Sequence, residues 1–472
     1  VKTLLLAIDQ GTHSTRAIVF DAQGRVVAQS QQGVGLHARS RSEVEQDPGE
    51  ILASLKRVIR QVLADPALGG RPIGAAGLAT QRSSVVAWDN HTGQALGPVL
   101  SWQDRRTAQH IATLAAHESR IATLTGLRLS PHYGAGKLYW LLNNVPAVAD
   151  AARDERLLMG PLASFLLFHL LAGRPASVDH ANASRMLLWN LQTRDWDDEL
   201  LGLFAIPRKV LPGCLPISAG YGRTRIGDIP LRAVNGDQTA ALYALGAPQD
   251  NTVLVNIGTG AFVLLPVGDA GSRPAGLLAG ISQSDATSAR YYIEGTVNGA
   301  GAALAWAEQR FALTGLEQQL PGWLDAIASP PLFINTVGGL GAPWWRAGPE
   351  PYFEPAGNNP PEAMVAVIES MLFLIQVNIG LICEARPAVD RIRISGGLAS
   401  LDALCQKLAD LSGLEVLRPP QVEATARGIA WQAARGPADW PVSGPVASFT
   451  PRANQELRAR YKQFVGILQG LP

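Results

Sequence analysis

Hydrophobic positions open this chain in short runs cut by turn formers. TLLLAID, RAIVFD and RVVAQSQQ are separated by QGTHST and AQG, and β-branched and apolar residues bounded in this way predict three consecutive strands, a β-meander. The period then changes. In PGEILASLKRVIRQVLADP, Ile51, Leu55, Val58, Ile59 and Val62 fall at i, i+4, i+7, i+8 and i+11 behind Pro48, which predicts an amphipathic helix. GAAGLAT returns to a strand pattern. Residues 105–230 carry mostly helical patterns broken by Pro and Gly, such as KLYWLLNN after Gly136 and DDELLGLFAIP ending at Pro207, and read as an inserted helical layer.

Near residue 251 the opening is echoed, because NTVLVNIGTGAFVLLPVG again runs strand, Gly-Thr turn, strand. Two such units imply a duplicated fold. The boundary is expected in ALGAPQDN, residues 244–251, giving units 1–246 and 247–472 with a ligand held between them. The second half continues with strand-turn-helix units, YYIEGTVNGAGAALAWAEQRF and RIRISGGLASLDALCQKLADLSG, so both halves are α/β in character.

Composition narrows the function classes. Across 472 residues, 40 Lys+Arg stand against 39 Asp+Glu, a net charge of +1, which leaves no basic excess for a nucleic-acid partner. Cys214, Cys383 and Cys405 are far apart and odd in number, which excludes a disulfide framework or a thiolate zinc site and fits a reducing cytoplasm. The apolar stretch Leu162 to Ala172 is short of the roughly 20 residues that a bilayer span needs, so no membrane span is expected. The run Leu4 to Ile8 stops at Asp9, too soon for a signal peptide.

Four segments carry candidate chemistry. Asp9-Gln10-Gly11-Thr12-His13-Ser14-Thr15-Arg16 sets an acid at a strand end before glycine, hydroxyls and an arginine. Such a turn cradles phosphate, with Asp9 available to Mg²⁺. Ordinary hairpin turns use the same residues. Asn256-Ile257-Gly258-Thr259-Gly260 repeats the design, and two glycine-hydroxyl hairpins facing each other would clamp a nucleoside triphosphate from both sides. Asn235-Gly236-Asp237-Gln238-Thr239 puts an acid at a helix start, where capping alone also favours one. Thr80-Gln81-Arg82-Ser83 with Ser101-Trp102-Gln103-Asp104-Arg105-Arg106 would suit a polyol, with hydrogen bonds on its edge and an aromatic on its CH face, or a core tryptophan beside solvated charges. Gly134-Ala135-Gly136-Lys137-Leu138 is not a P-loop, because Leu138 stands where the hydroxyl belongs and Pro131 where the first glycine belongs.

The order of these segments resembles the FGGY carbohydrate kinases, most closely their glycerol kinase branch. DQGTHSTRAIVFD, TQRSSVVAWDNHTGQALGPVLSWQDRRT, NASRMLLWNLQTRDWDDELLGLFAIP, GDQTAALYALG, NIGTGAFVLL, GGLGAPWW and SGGLASLDALCQKLADLSGLEVLRP follow the family in sequence. The resemblance implies an α/β fold of two actin/hexokinase/Hsp70-like (ribonuclease H-like) domains closing around ATP, Mg²⁺ and a small polyol or sugar. It makes Asp237 the general base and Asp9 and Asp237 the metal-associated carboxylates. Arg82, Ser83, Trp102, Tyr133, Gln238 and Phe262 then match substrate-pocket positions. Gly11, Thr12, His13, Ser14, Arg16, Gly258, Thr259, Gly260 and Gly301 match phosphate contacts, and Gly396, Gly397 and Leu401 the adenosine side. The resemblance also implies a homo-oligomer, a dimer.

Three positions depart from glycerol kinases: His13 replaces a hydroxyl residue, Ser83 a glutamate and Leu401 an asparagine. The departures favour a larger acceptor than glycerol. The alternatives are a xylulokinase- or ribulokinase-like sugar kinase and a non-kinase ATPase clamp of the same fold. GYGRTRIGDIPLRAV lacks the longer glycine-rich basic loop of some bacterial relatives, so anionic feedback inhibition is expected to be absent.

Overall fold

The computed structural model describes residues 3–269, 273–356, 359–420, 423–438, 440–441 and 444–471. Two mixed sheets with helices against them are built on one plan, with a cleft between. In the first, β1 (Leu4–Gln10), β2 (Ser14–Phe20) and β3 (Val26–Gly33) form the meander. To it are added β4 (Ile73–Thr80), β5 (Ser218–Arg223) and β6 (Pro230–Gly236), in the order β5-β6-β4-β1-β2-β3. β4 lies parallel to both β1 and β6, and the other pairs are antiparallel.

The second sheet is made by β7 (Thr252–Ile257), β8 (Ala261–Val267), β9 (Leu278–Ser284), β10 (Ala289–Val297), β11 (Arg391–Ser395), β12 (Glu415–Arg418) and β13 (Ala447–Phe449). Its order, β9-β10-β8-β7-β11-β12-β13, repeats the antiparallel meander followed by two parallel strands and an antiparallel edge. The duplication read from the echoed turn is therefore a duplication of topology.

Side-chain alternation decides what each face of these strands meets. On β1, Leu4, Leu6 and Ile8 pack with Ile51, Leu55, Val58, Ile59 and Val62 of α1 (Pro48–Leu63), the five positions read from the helical period. Leu5 and Ala7 face the opposite way, and Asp9 shares their parity. On β7, Val253, Val255 and Ile257 enter the second core, leaving Leu254 and Asn256 on the cleft side.

The middle of the chain departs from a helical layer. It does hold helices, among them α2 (Gly134–Asn144), but also short strands: Leu157–Pro161, which joins Val85–Asp89 in a five-stranded sheet, and Ser177–Asp179, paired with Gly213–Leu215. Short strands of two to five residues carry too few alternations to register against neighbouring helix patterns.

Among the described residues the longest helix is α5 (Pro360–Ala385). By length and composition it could cross a bilayer, yet 78% of its apolar window is buried inside the second half, as befits a core helix. The last departure concerns chain path. α7 (Ala424–Ala433) packs Ala426, Ile429, Ala430 and Ala433 onto Leu5, Ala7, Ile18 and Phe20, so residues late in the chain cover the first sheet.

Candidate active site

The first hairpin brings Asp9 and Arg16 directly opposite each other in the β1–β2 ladder, and Arg16 Nη2 donates to Asp9 Oδ2 at 2.7 Å. Glu423, just before α7, pairs with the other end of the guanidinium. Asp9 is 3% exposed. Burial pushes its carboxyl up to about 6 against the pull of Arg16, and the Asp237 carboxylate adds to the rise. The Gly11 amide closes the turn on the Ser14 carbonyl at 2.9 Å. The Thr12 hydroxyl accepts from Trp102 Nε1 at 2.9 Å, tying the phosphate turn to the pocket wall. His13 is exposed at the turn tip.

Across the cleft the second hairpin closes with Gly258 N on Gly260 O at 2.9 Å. α4 (Gly301–Phe311) starts beneath it, its Gly301 and Ala302 amides donating to the Gly258 and Thr259 carbonyls at 3.0 and 2.9 Å. Gly301 thus supports the turn from below, and a Cβ there would meet Gly258 O at 2.7 Å. Gly396 has φ +98° and lies so close to β7 that a Cβ would come within 2.2 Å of Ile257 O, so only glycine fits. Gly396 and Gly397 line a cavity of about 480 Å³ together with Asn256, Phe262, Arg393, Ser400, Arg418 and Thr425, and Asp237 and Gln238 stand in its wall. Leu401 does not line it. Leu401 caps α6 (Asp402–Ser412) and packs on the second core.

Around Asp237 stands a cluster of polar side chains. Asp237 opens α3 (Asp237–Ala241) at the end of β6, which holds it at the floor between the two halves. Arg82 Nε is 3.8 Å from Asp237 Oδ1, and the guanidinium donates to Gln238 Oε1 and, at 3.1 Å, to the Tyr292 hydroxyl. Gly236 makes this possible, since a Cβ there would meet Arg82 Cδ at 2.4 Å. Burial raises the Asp237 carboxyl above its ordinary range, with Arg82 pulling the other way. Ser83 is buried in a left-handed conformation, φ +62°, its hydroxyl donating to the Arg185 carbonyl at 3.4 Å. Tyr133 is buried beneath the Arg185 guanidinium, 5.6 Å from its ring centre, and burial lifts its phenol to about 12. Trp102 meets His132 edge-on at 5.7 Å.

The arrangement therefore joins Trp102 to Thr12 of the phosphate turn, joins Arg82 to Gln238 and Asp237, and sets Asp237 within electrostatic reach of Asp9. Phe262 lines the cavity.

Several residues of the site escaped the reading of the sequence. Arg185 Nη2 donates to Glu294 Oε1 and Oε2 at 3.1 and 3.2 Å, joining the two halves. Burial opposes both charges, but the pairing outweighs it, raising Arg185 and lowering Glu294. Lys137, set aside as a failed P-loop, is fully buried and donates to the carbonyls of Ser83 and His132 at 3.0 and 2.8 Å. The available signal was a lone charge inside the apolar runs SRMLLWN and YYIEGTV.

Among the described residues no group of three or more His, Cys, Asp or Glu side chains converges as a metal site. The buried Asp9 carboxylate and the half-buried Asp237, whose charge raises that of Asp9, are the donor set Mg²⁺ takes when phosphates and waters fill its remaining positions, so the residues fit that ion.

Residues 4–242 match the model of the FGGY family of carbohydrate kinases, N-terminal domain, and residues 253–436 match its C-terminal domain. The chain belongs to the FGGY family of carbohydrate kinases. It is an ATP-dependent phosphotransferase of that family, best matched among named relatives to glycerol kinases. A glycerol kinase of Thermus brockianus is 36% identical over 454 residues, 92% of this chain and 89% of that one. One of Alkalilimnicola ehrlichii is 37% identical over 443 residues, 91% and 90% of the two chains. In fold, the chain is similar to Plasmodium falciparum glycerol kinase with ADP (TM-score 0.90, 21% identity, 99% and 98% covered) and to a xylulose kinase of Rhodospirillum rubrum (0.87, 20%, 99% and 98%). FGGY kinases use ATP and Mg²⁺.

Proposed function

We propose that this kinase transfers the γ-phosphate of ATP to a primary hydroxyl of a small polyol or ketose, with Asp237 as the general base. The observation that carries the reading is the position of Asp237, which lines the glycine-lined cavity and stands 3.8 Å from the buried Arg82. The nucleotide takes the cavity, with Gly396 and Gly397 on its adenosine side. The triphosphate runs between the Gly11–Ser14 and Gly258–Gly260 turns, and Arg16 keeps the buried Asp9 ionised beside it.

The acceptor sits among the polar side chains around Asp237. Arg82 and Gln238 orient its hydroxyls, and the Trp102 face lies against its carbon chain. Asp237 Oδ accepts the proton as the acceptor oxygen attacks phosphorus, and holds it there. Asp9, with one oxygen of Asp237, would hold Mg²⁺, which would supply neutralisation of phosphate charge while the other Asp237 oxygen stays free for the proton. Phosphoryl transfer needs mainly such positioning and charge stabilisation, together with closure that keeps water out. Ser83 leaves space and a neutral hydroxyl where a carboxylate is usual in glycerol kinases, which supports an acceptor longer than glycerol. Three free cysteines support a cytoplasmic setting.

ADP release with glycerol, erythritol, xylulose and ribulose tests the reading. Acceptor-dependent release is expected; release that no acceptor stimulates would make the chain an ATPase clamp.

A further inference from the structure

Tyr292 lies in β10, in the second half, and is 1% exposed. Its hydroxyl accepts from Arg82 Nη1 at 3.1 Å and faces Arg185 Nη1 at 3.5 Å, both arginines belonging to the first half. Two residues on, with the same parity, Glu294 takes Arg185. One strand of the second half thus supplies the acceptors for two buried guanidiniums of the first.

The two arginines are not matched alike. Arg185 has a carboxylate, Glu294, at 3.1 Å. The carboxylate paired with Arg82 is Asp237, at 3.8 Å, and Asp237 must stay free to take a proton. A guanidinium left to itself beside a carboxylate swings into a two-point fork at about 2.8 Å, which would occupy both oxygens of the base. Arg82 is kept from doing so because Gln238 Oε1 and the Tyr292 hydroxyl engage its two terminal nitrogens. The ring is seated with equal care. Gly280 pairs with Tyr292 across β9–β10, and a Cβ at 280 would come within 2.4 Å of the phenol oxygen.

We propose that Tyr292 is a positioning residue of the acceptor site: its hydroxyl, supplied by the second half, holds Arg82 off Asp237 and aims it at the substrate. The inference rests on the kinase reading above, with Arg82 in the acceptor pocket.

The test is steady-state kinetics of Tyr292→Phe, which keeps the ring and deletes the acceptor atom, on the best acceptor of the wild-type enzyme. A hydrogen bond to a charged group corresponds to roughly tenfold or more, so kcat/KM for the acceptor is expected to fall at least about tenfold. KM for ATP should stay within about twofold of wild type, a split that general loosening of the fold would not give. In an Arg82→Lys background the same substitution should add less than about twofold, because both act through one contact. Gly280→Ala, which displaces the phenol oxygen without altering Tyr292, should reproduce the selective loss and serves if Tyr292→Phe folds poorly. Equal changes in both KM values, full additivity with Arg82→Lys, or unchanged kinetics in both variants would overturn the proposal. A wild-type enzyme with no acceptor-dependent turnover would instead remove the kinase reading beneath it.

Discussion

Arg82 Nε and Asp237 Oδ1 stand 3.8 Å apart, near enough for the cation to favour the ionised carboxylate and too far to occupy it. This spacing suits a base that must be charged yet free. Both residues owe their places to one glycine, Gly236, over which the Arg82 chain lies and after which Asp237 begins its helix.

Replacing Asp237 by Asn keeps shape and removes the proton acceptor. Turnover is expected to drop about 10²–10⁴-fold, the usual span for a general base, with an unchanged melting temperature. Turnover within threefold of wild type, measured by coupled ADP release, would take the role away from Asp237.

Ser83→Glu restores a carboxylate beside two buried arginines. A charged hydrogen bond contributes about 1.5–3 kcal/mol, and each 1.4 kcal/mol is tenfold. The wild-type enzyme is therefore expected to prefer a four- or five-carbon acceptor, and the variant to shift kcat/KM toward glycerol. Glycerol as the best wild-type acceptor, with no gain from the glutamate, would show that a water does the work of the missing group.

The acid limb of the rate profile should lie above the ordinary carboxylate range. Asp9 is raised to about 6 by burial, and Asp237 is raised as well. Both act ionised, so activity is present above these values and is lost as pH falls through them. Arg16 opposes the rise at Asp9, so Arg16→Gln should move the limb to higher pH. Profiles of kcat/KM for the magnesium–ATP complex from about pH 5 to 8 check this, and coincident limbs would assign the ionisation elsewhere.

Gly428 brings α7 against α3 so closely that a Cβ would fall 1.8 Å from the Ala240 carbonyl oxygen. Gly428→Ala must push the two helices apart, at an expected cost of about 1–3 kcal/mol or more. Calorimetry should show a lowered melting temperature, and turnover should fall with it, because α3 carries Asp237. A variant matching wild type in both would mean the helices separate without strain.

What the sequence disclosed was local. The first hairpin was legible because Asp9, Gly11 and Arg16 sit within eight positions and their contacts form across one turn. α1 was legible because its five apolar positions are also its buried ones. The echoed Gly-Thr turn disclosed the duplication, since it marks the same joint in two sheets. Arg185, Glu294 and Tyr292 were not legible, because their partners lie 109 and 210 residues away and no local rule says which buried charge meets which. The segment of Lys137 was rightly read as no phosphate loop, but its packing role was not legible: its glycines let α2 pack tightly, and a Cβ at Gly134 would meet Met186 at 2.2 Å. α5 went unnoticed as the longest apolar element because Glu362, Glu369 and Glu384 punctuate it. Glu369 is in fact buried and held by Lys407 and Arg460.

The return of α7 to the first sheet sets an order of events at the ribosome. The helix that covers Leu5, Ala7, Ile18 and Phe20 is made about four hundred positions after them. Until then the nascent first half presents an apolar sheet face to whatever is near, an invitation to chaperones and to self-association. The two halves of this kinase are consequently not beads that mature one after the other; the first is finished only once α7, in the second, has been synthesised.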